Sequence, residues 1–546
     1  MGPDPEAKRE NTASGRAGPP AGAPVRVPRR AWWDHPWRAV GGLCVLVCVS
    51  RLPFRTPMLT SWDAAQFALA MEDFDVARHR PHPPGYLPLV AAARAIDLLV
   101  HDANASLVLV AIVFSMLGVI AVYGLGRAMF DGRVGVTAAL LYAISPLHWA
   151  LGEVALPYTA EGALCAAVAW LLWHSRQGSG RHAIAAGLVL GLGAGFRTNL
   201  LLFLLPALVY ALWPLRRRTK LVAVVALAIG CIAWLGPTIA LTGGYARYVD
   251  ASGALAERLV LAKSVPALLR AVGSRAALAQ LAQNTDIVCG SLFGGGLALA
   301  AVLLLPLGRW HDAEPSARHG RRWFCAVVLL PASAFYILVH MARKGYVMTL
   351  VPVLLVLAAA NAAGLAMRLR LRVRWIVGAI ALGNACLFIA LYPPQDRSDV
   401  EALRGKLLFI EQHFDPADTV VIDFPDFRLL GYYLRDFQVY ALPGFATPGA
   451  DDPGSQVGEW GMRYGREQFD EMVPVQPVVP RPLAFAPRVH RVVFTDERYL
   501  VVRQVPMREL RFGRGRTAGV VELTDVCRVF HYDVRGGWFR REEGAR

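Results

Sequence analysis

ASLVLVAIVFSMLGVIAVYGLG, residues 105–126, runs for 22 residues without a charged side chain. Wound as an α-helix it is ~33 Å long, enough to cross the ~30 Å hydrocarbon layer of a bilayer. Its apolar surface faces all the way round, so it needs lipid or a large core as its solvent. Apolar runs recur at 133–150, 199–213, 221–242, 285–307, 323–341, 346–367 and 375–392, with shorter ones at 37–54, 157–174 and 182–196. These predict about eleven transmembrane helices. With 55% hydrophobic and only 18% charged residues in a chain of 546, the composition is that of an α-helical polytopic membrane protein.

The net charge of +16 does not point to nucleic acid, because most of it sits in short connections. VRVPRR (25–30), RAMFDGR (127–133), HSRQGSGRH (174–182), PLRRRTK (214–220), GRWHDAEPSARHGRR (308–322) and RLRLRVR (368–374) alternate with connections at 55–104, 151–156, 197–199, 243–284 and 342–345 that hold far less Lys and Arg for their length. By the positive-inside rule the first set is cytoplasmic. The N-terminus then lies in the cytoplasm, and an eleven-span count leaves the C-terminus outside the cell membrane.

Residues 1–36 are rich in Pro, Gly, Ala and Arg and read as a disordered cytoplasmic segment. Residues 37–393 form the transmembrane domain, with long outer loops at 55–104 and 243–284. In the first loop Ala64, Phe67, Ala68 and Met71 fall at helical spacing, which predicts an amphipathic helix on the membrane surface. Past Tyr392-Pro393-Pro394 the composition becomes that of a soluble α/β domain, residues 394–546. There a helix is predicted at 398–414, a strand at 419–424, a helix at 426–434 and strands at 438–442, 490–496, 500–505 and 528–534, around an irregular insertion at 443–484. The eight cysteines lie almost all in predicted spans, without metal spacing, and read as apolar fillers. The Gly-rich stretches 187–195 and 290–296 read as close helix packing within spans.

The first outer loop gathers Asp63, Glu72, Asp73, Asp75, Arg78, His79, Arg80 and His82 at a membrane boundary. SWDAAQFALA (61–70), with Asp63, and His82-Pro83-Pro84-Gly85-Tyr86 resemble the first-loop motifs of the GT-C glycosyltransferases, in particular their protein O-mannosyltransferase-like branch. HWALGEVALPYTAEG (148–162), GLGAGFRTNLLLFLLPAL (191–208) and GYVMTLVPVLLVLAA (345–359) are similar to later segments of that family. The resemblance spans roughly residues 37–392. It implies a GT-C-like membrane domain that takes a sugar, mannose or another hexose or pentose, from a polyprenyl-phosphate donor and transfers it with inversion to an extracytoplasmic protein, lipid or glycan.

Under that reading Asp63 is the general base that takes the proton of the attacking hydroxyl. On residue chemistry alone, Asp63 also fits a helix N-cap at Ala64. His82 and Tyr86 would shape the sugar pocket, although a rigid Pro-rich turn and the interfacial aromatic belt explain them equally. Arg197 and Lys344 would hold the lipid phosphate; span-end snorkelling is the bland reading of Arg197. Glu153 and Tyr158 belong to the site through the third motif, with Glu153 preferred over Glu161. Many family members pair two acids at the first-loop position, whereas Asp63 is flanked by Trp62 and Ala64. That leaves Asp63 acting alone or with Asp73 or Asp75, and leaves dependence on a divalent metal open, no metal-ligand signature being present. No cofactor other than the polyprenyl-phosphate sugar is implied, and the partners are membrane lipid, that donor and the acceptor, not nucleic acid. The rivals are a polytopic transporter or lipid flippase, and a non-catalytic membrane scaffold.

Overall fold

The computed structural model describes residues 36–255, 261, 264–296, 315–391, 397–423, 426–441, 483–484, 488–495, 508–512, 515–522, 529–533 and 538–541. Most of the predicted disordered segment, the domain boundary at 394, the predicted strand 500–505 and nearly all of the 443–484 insertion lie outside them.

A helix stands at each of the eleven predicted spans. They are α1 (Pro36–Arg51), α4 (Ala103–Met129), α5 (Gly132–Ala143) with α6 (Pro146–Leu151), α7 (Tyr158–Arg176), α8 (Gly180–Gly193), α9 (Asn199–Leu212), α10 (Arg217–Leu241), α13 (Ser274–Gly294), α14 (Pro315–Leu338), α15 (Val351–Arg368) and α16 (Val373–Leu391). Among the described residues four stretches are each long and apolar enough to cross a bilayer: Ala103–Met129, Arg217–Leu241, His319–Leu338 and Val373–Leu391. Along α10, Leu221, Val222, Val224, Val225, Ile229 and Ile232 are exposed, a face that water would penalise and lipid accepts. The opposite face packs on α8 without intervening side chains. A Cβ at Gly187 or Gly191 would collide with the Ala223 or Leu227 carbonyl, and one at Gly230 would lie 2.7 Å from the Leu188 carbonyl. The predicted role of glycine in 187–195 therefore holds.

Two predicted spans are redrawn. The run 133–150 is broken, because Pro146 forces Ser145 out of helical geometry (ψ 123°) and α6 starts afresh behind it. In the run 285–307, α13 begins earlier than predicted, at Ser274, inside the predicted outer loop, and stops at Gly294; residues 297–307 lie outside the described ones. Gly296 follows at φ +120°, beside Asn384. Gly294, Gly295 and Gly296 thus end a helix rather than pack within one, while Gly290 lies inside α13.

The two outer loops hold the helices α2 (Trp62–Glu72) and α3 (Leu87–Val100), then α11 (Tyr245–Leu255) and α12 (Val265–Ala271). Ala64, Phe67, Ala68 and Met71 are all buried, as their spacing predicts. They are buried against protein rather than lipid. One apolar cluster joins Leu59, Phe67, Tyr86 and Leu89 to Leu403, Ile410, Val421, Phe427 and Leu430 of the C-terminal segment.

That segment contains α17 (Arg397–His413), α18 (Phe427–Tyr433) and strands β1 (Thr419–Asp423), β2 (Gln438–Ala441), β3 (Leu483–Ala484), β4 (Arg491–Phe494), β5 (Arg508–Phe512), β6 (Arg516–Glu522), β7 (Val529–Asp533) and β8 (Trp538–Arg541). One sheet has the order β2-β1-β4-β6-β5, and a second the order β3-β7-β8. β1 is parallel to β2 and β4, while β4–β6 and β5–β6 are antiparallel. All five residues of β1 are buried, as befits a strand with neighbours on both sides and helices over its faces. At its C-terminal end Lys406 Nζ reaches Asp423 Oδ2 at 2.7 Å and Asp426 Oδ2 at 2.6 Å, and the Thr495 hydroxyl donates to Asp423 Oδ2 at 2.6 Å. The acids at this strand end are bound up in a closed network joining α17, β1, α18 and β4.

A candidate active site beside the first loop

The turn before α3 is built by Gly85, at φ +112°, where a Cβ would lie 2.7 Å from the Thr238 methyl. Only glycine fits there, and the contact seats the first loop against the end of α10. Tyr248 of α11 donates its hydroxyl proton to the Pro84 carbonyl at 3.2 Å. Arg247 pairs with Asp75 at 2.8 Å. The HPPGY block is thus held from both long loops.

Asp63 lies in the first turn of α2, with its side chain 38% exposed. It does not cap the helix. Ser61 does, accepting from Ala64 N at 3.3 Å, which frees the carboxylate from the capping role. The nearest cationic candidate is His82, whose Nδ1 stands 3.9 Å from Asp63 Oδ1. Nδ1 also meets the Gln66 side-chain amide at 2.6 Å, and Nε2 meets Tyr86 Oη at 3.2 Å. Arg197 Nη1 donates to the same phenol oxygen at 3.2 Å. Its Nε lies 3.4 Å from Glu161 Oε2. The guanidinium rests between two rings, 4.5 Å from the Tyr346 centroid and 5.5 Å from that of Tyr158, a cation–π arrangement strengthened by burial. Burial lowers the His82 pKa below its usual value; Asp63 opposes that shift, and Arg197 and Arg428 add to it. Burial pushes Tyr86 up to about 12, so it stays a phenol.

A line of contacts therefore runs Asp63–His82–Tyr86–Arg197–Glu161, flanked by Tyr158 and Tyr346. Five of the seven predicted site residues, Asp63, His82, Tyr86, Tyr158 and Arg197, come together. Only 11% of the Arg197 side chain is exposed, so it does not snorkel outward.

Glu153 lies elsewhere. Its charge neighbour is Arg51, and burial raises its pKa to about 8 against that attraction. Arg51 in turn donates to the Ala143 carbonyl at 2.6 Å and rests over the Trp149 ring. Glu161, not the Glu153 preferred from the sequence, is the acid beside Arg197. Glu161 lies in the first turn of α7, whereas Glu153 lies in the irregular connection before that helix.

Lys344 is exposed, at the start of a 3-10 turn over Lys344–Thr349. No ion pair among the described residues ties it down. The same turn carries Tyr346 under Arg197 and brings Gly345 onto Tyr158, where a Cβ would lie 2.5 Å from the ring. Asp73 and Asp75 are not partners of Asp63: Asp73 pairs with Arg78 and Arg80, and Asp75 with Arg78 and Arg247. Among the described residues no three His, Cys, Asp or Glu side chains gather as a metal site. Tyr346, Gln66 and Arg428 were missed by sequence reading. Tyr346 and Gln66 sat inside quoted segments; Arg428 carries no local signal.

Residues 82–239 match the family model of dolichyl-phosphate-mannose-protein mannosyltransferases. The fold is similar over 89% of this chain and 97% of the other to apo ArnT from Cupriavidus metallidurans, with TM-score 0.55 at 13% identity. This is the GT-C fold. A second structure, ArnT from the same organism bound to undecaprenyl phosphate, aligns over 90% of this chain and 98% of that one, with TM-score 0.54 and 14% identity. No curated protein matches the sequence. The GT-C likeness extends past the matched segment into the C-terminal sheet region, since nearly the whole chain aligns.

Proposed function

We propose that this chain is a membrane glycosyltransferase that moves a sugar from a polyprenyl-phosphate donor to an extracytoplasmic acceptor. The observation that carries the reading is the juxtaposition of an accessible, uncapped carboxylate, Asp63, with the buried Tyr86–Arg197 pair. Sugar transfer to a hydroxyl needs both a base and a cation. Asp63 takes the proton of the acceptor hydroxyl as its oxygen attacks the anomeric carbon. The bond from that carbon to the phosphate oxygen breaks, and the lipid phosphate departs with the electron pair. It gains one negative charge in doing so, which Arg197 and the exposed Lys344 offset. Attack opposite the leaving group inverts the anomeric centre.

The ArnT structure with undecaprenyl phosphate and the mannosyltransferase family match support this donor class. Mannose is the sugar favoured by the family match, and the acceptor is a protein, lipid or glycan. In the proposed topology eleven helices cross the membrane, residues 1–36 are cytoplasmic, and residues 394–546 form an extracytoplasmic domain beside the site. Glu153, with Arg51, is assigned to the neighbouring helix junction as a support for the α6–α7 connection rather than a substrate contact. The test is incubation of the purified protein with radiolabelled polyprenyl-phosphate sugars and a membrane extract. Label passing into protein, lipid or glycan supports the reading. Label that is carried across a vesicle membrane and stays on its lipid supports a flippase instead.

A further inference from the structure

The C-terminal segment meets the first-loop site through α18 and the turn that follows it. Phe427 of α18 packs edge-on against Trp62, with centroids 5.0 Å apart. The Leu59 amide donates to Tyr433 Oη at 2.8 Å, and Arg435 forms a two-pronged pair with Glu72. Between these anchors Arg428, itself buried, turns its guanidinium onto the Gln66 side chain. Gln66 is the residue that meets His82.

A guanidinium has donors and no acceptor. Arg428 Nη1, Nη2 and Nε all face the same end of the Gln66 amide, the latter two at 3.2 and 3.3 Å, so that end is the carbonyl oxygen. The amide NH2 is then left facing His82 Nδ1 at 2.6 Å and donates to it. Nδ1 must be the lone-pair nitrogen, and the imidazole proton sits on Nε2. Nε2–H donates to Tyr86 Oη, which also accepts from Arg197 Nη1. With two donors on its oxygen, the phenol directs its own proton to a third group.

We propose that Arg428 of the soluble domain is a positioning residue for sugar transfer: through the Gln66 amide it fixes the His82 tautomer and hence the direction in which Tyr86 donates. The proposal rests on the reading of the Asp63 network as the transfer site. Tyr86 then offers a hydrogen bond to substrate while Asp63 keeps its lone pairs for the acceptor proton. Detachment of α18 releases the amide, and the His82 ring takes either tautomer. The charged and titratable groups facing His82 are Asp63 from α2, Arg197 from the α8–α9 connection, Arg428 from α18, and His79 from its own loop. Removing the Arg428 charge raises the His82 pKa, so an activity that needs neutral His82 begins to fall at a higher pH as the medium is acidified.

The experiment uses the full chain in lipid nanodiscs with 15N-labelled histidine, His82 being identified by its loss in His82→Gln. NMR then reads its tautomer and titration without any need for turnover. Wild type is expected as the Nε2–H form. Gln66→Glu puts an acceptor against Nδ1 while keeping a partner for Arg428, and is expected to reverse the tautomer to Nδ1–H. Arg428→Gln is expected to give both tautomers and to move the acidic limb of the pH–rate profile upward by up to one unit, while Arg428→Lys, a donor-only side chain, restores the wild-type form. Arg435→Ala, in the turn just after that helix and outside the relay, is expected to leave tautomer and profile unchanged. An unchanged tautomer in Gln66→Glu overturns the proposal, as does an Arg435→Ala that behaves like Arg428→Gln. The expected NMR changes with no sugar transfer by any form, wild type included, uphold the Arg428 relay and overturn the transferase reading alone.

Discussion

Replacing Asp63 by Asn removes a charge and a base while keeping the shape, and the surroundings of Asp63 allow the two effects to be separated. The helix does not depend on this residue for its cap, because Ser61 accepts from Ala64 N. What folding loses is the favourable placement of a carboxylate in the first turn, about 0.3–1 kcal/mol at most. What the reaction loses is a general base, a ~10²–10⁴-fold effect, which at ~1.36 kcal/mol per tenfold is about 3–5 kcal/mol of barrier. The barrier term exceeds the folding term several-fold, so Asp63→Asn should remain folded, bind donor and turn over at or below about 1% of wild type. Ser61→Ala is the mirror image: it should cost about 1 kcal/mol of stability and leave the rate of folded enzyme close to wild type. Initial transfer rates of the two variants, beside their thermal unfolding midpoints, make the comparison. Wild-type turnover in Asp63→Asn, or a rate loss in Ser61→Ala as deep as in Asp63→Asn, would refute the assignment of the base.

Four further outcomes are expected. Arg197→Ala should weaken binding of a polyprenyl phosphate at least tenfold, whereas Arg217→Ala, an exposed position at the start of α10, should leave it within twofold, both read by titration in detergent. Gly345→Ala places a methyl group 2.5 Å from the Tyr158 ring, so it should lower the transfer rate by disturbing the bed of Arg197 while leaving the rest of the fold intact by circular dichroism. A reporter fused after Arg546 should be extracytoplasmic and one inserted at Arg217 cytoplasmic; two cytoplasmic signals would move the span count by one. Truncation after Tyr392 uncovers the apolar faces of α2 and α3 that now pack on α17, α18 and β1, so proteolysis of the truncated protein should begin in residues 55–104 and transfer should fall with it.

Where the sequence spoke clearly, the signal was periodic or steric. Runs such as 105–126 and 221–242 can satisfy their backbone only as helices in an apolar solvent, and α4 and α10 stand there. Pro and Gly limits were visible as types but not always as consequences: Pro146 split one run, and Gly294–Gly296 stopped another, because a single residue decides whether a helix continues. The β5–β6 hairpin, RELRF and RTAGVVE, was passed over because the charged residues of β5 and of the ends of β6 leave only Phe512 and the short run Ala518–Val521 buried, without an alternating pattern. Asp63, His82, Tyr86 and Arg197 were individually legible through local motif context, yet their meeting depends on long-range packing. Arg428 lies 362 positions after Gln66 in the chain, and no local pattern links the two. The choice between Glu153 and Glu161 turned on where α7 begins: Glu161 lies in its first turn, whereas Glu153 stays in the irregular connection before it, beside Arg51.

The central claim is a chemical one, that sugar leaves a polyprenyl phosphate and arrives on an acceptor at Asp63. It is tested most directly by reconstituting wild type and Asp63→Asn into liposomes with a radiolabelled polyprenyl-phosphate mannose and an extract of membrane lipids and proteins. The account predicts that wild type moves label from the polyprenyl lipid into an acceptor fraction and releases the polyprenyl phosphate in equal amount, with transfer by Asp63→Asn reduced at least a hundredfold. Label that stays on the polyprenyl lipid with wild type, across a panel of hexose and pentose donors, would contradict it.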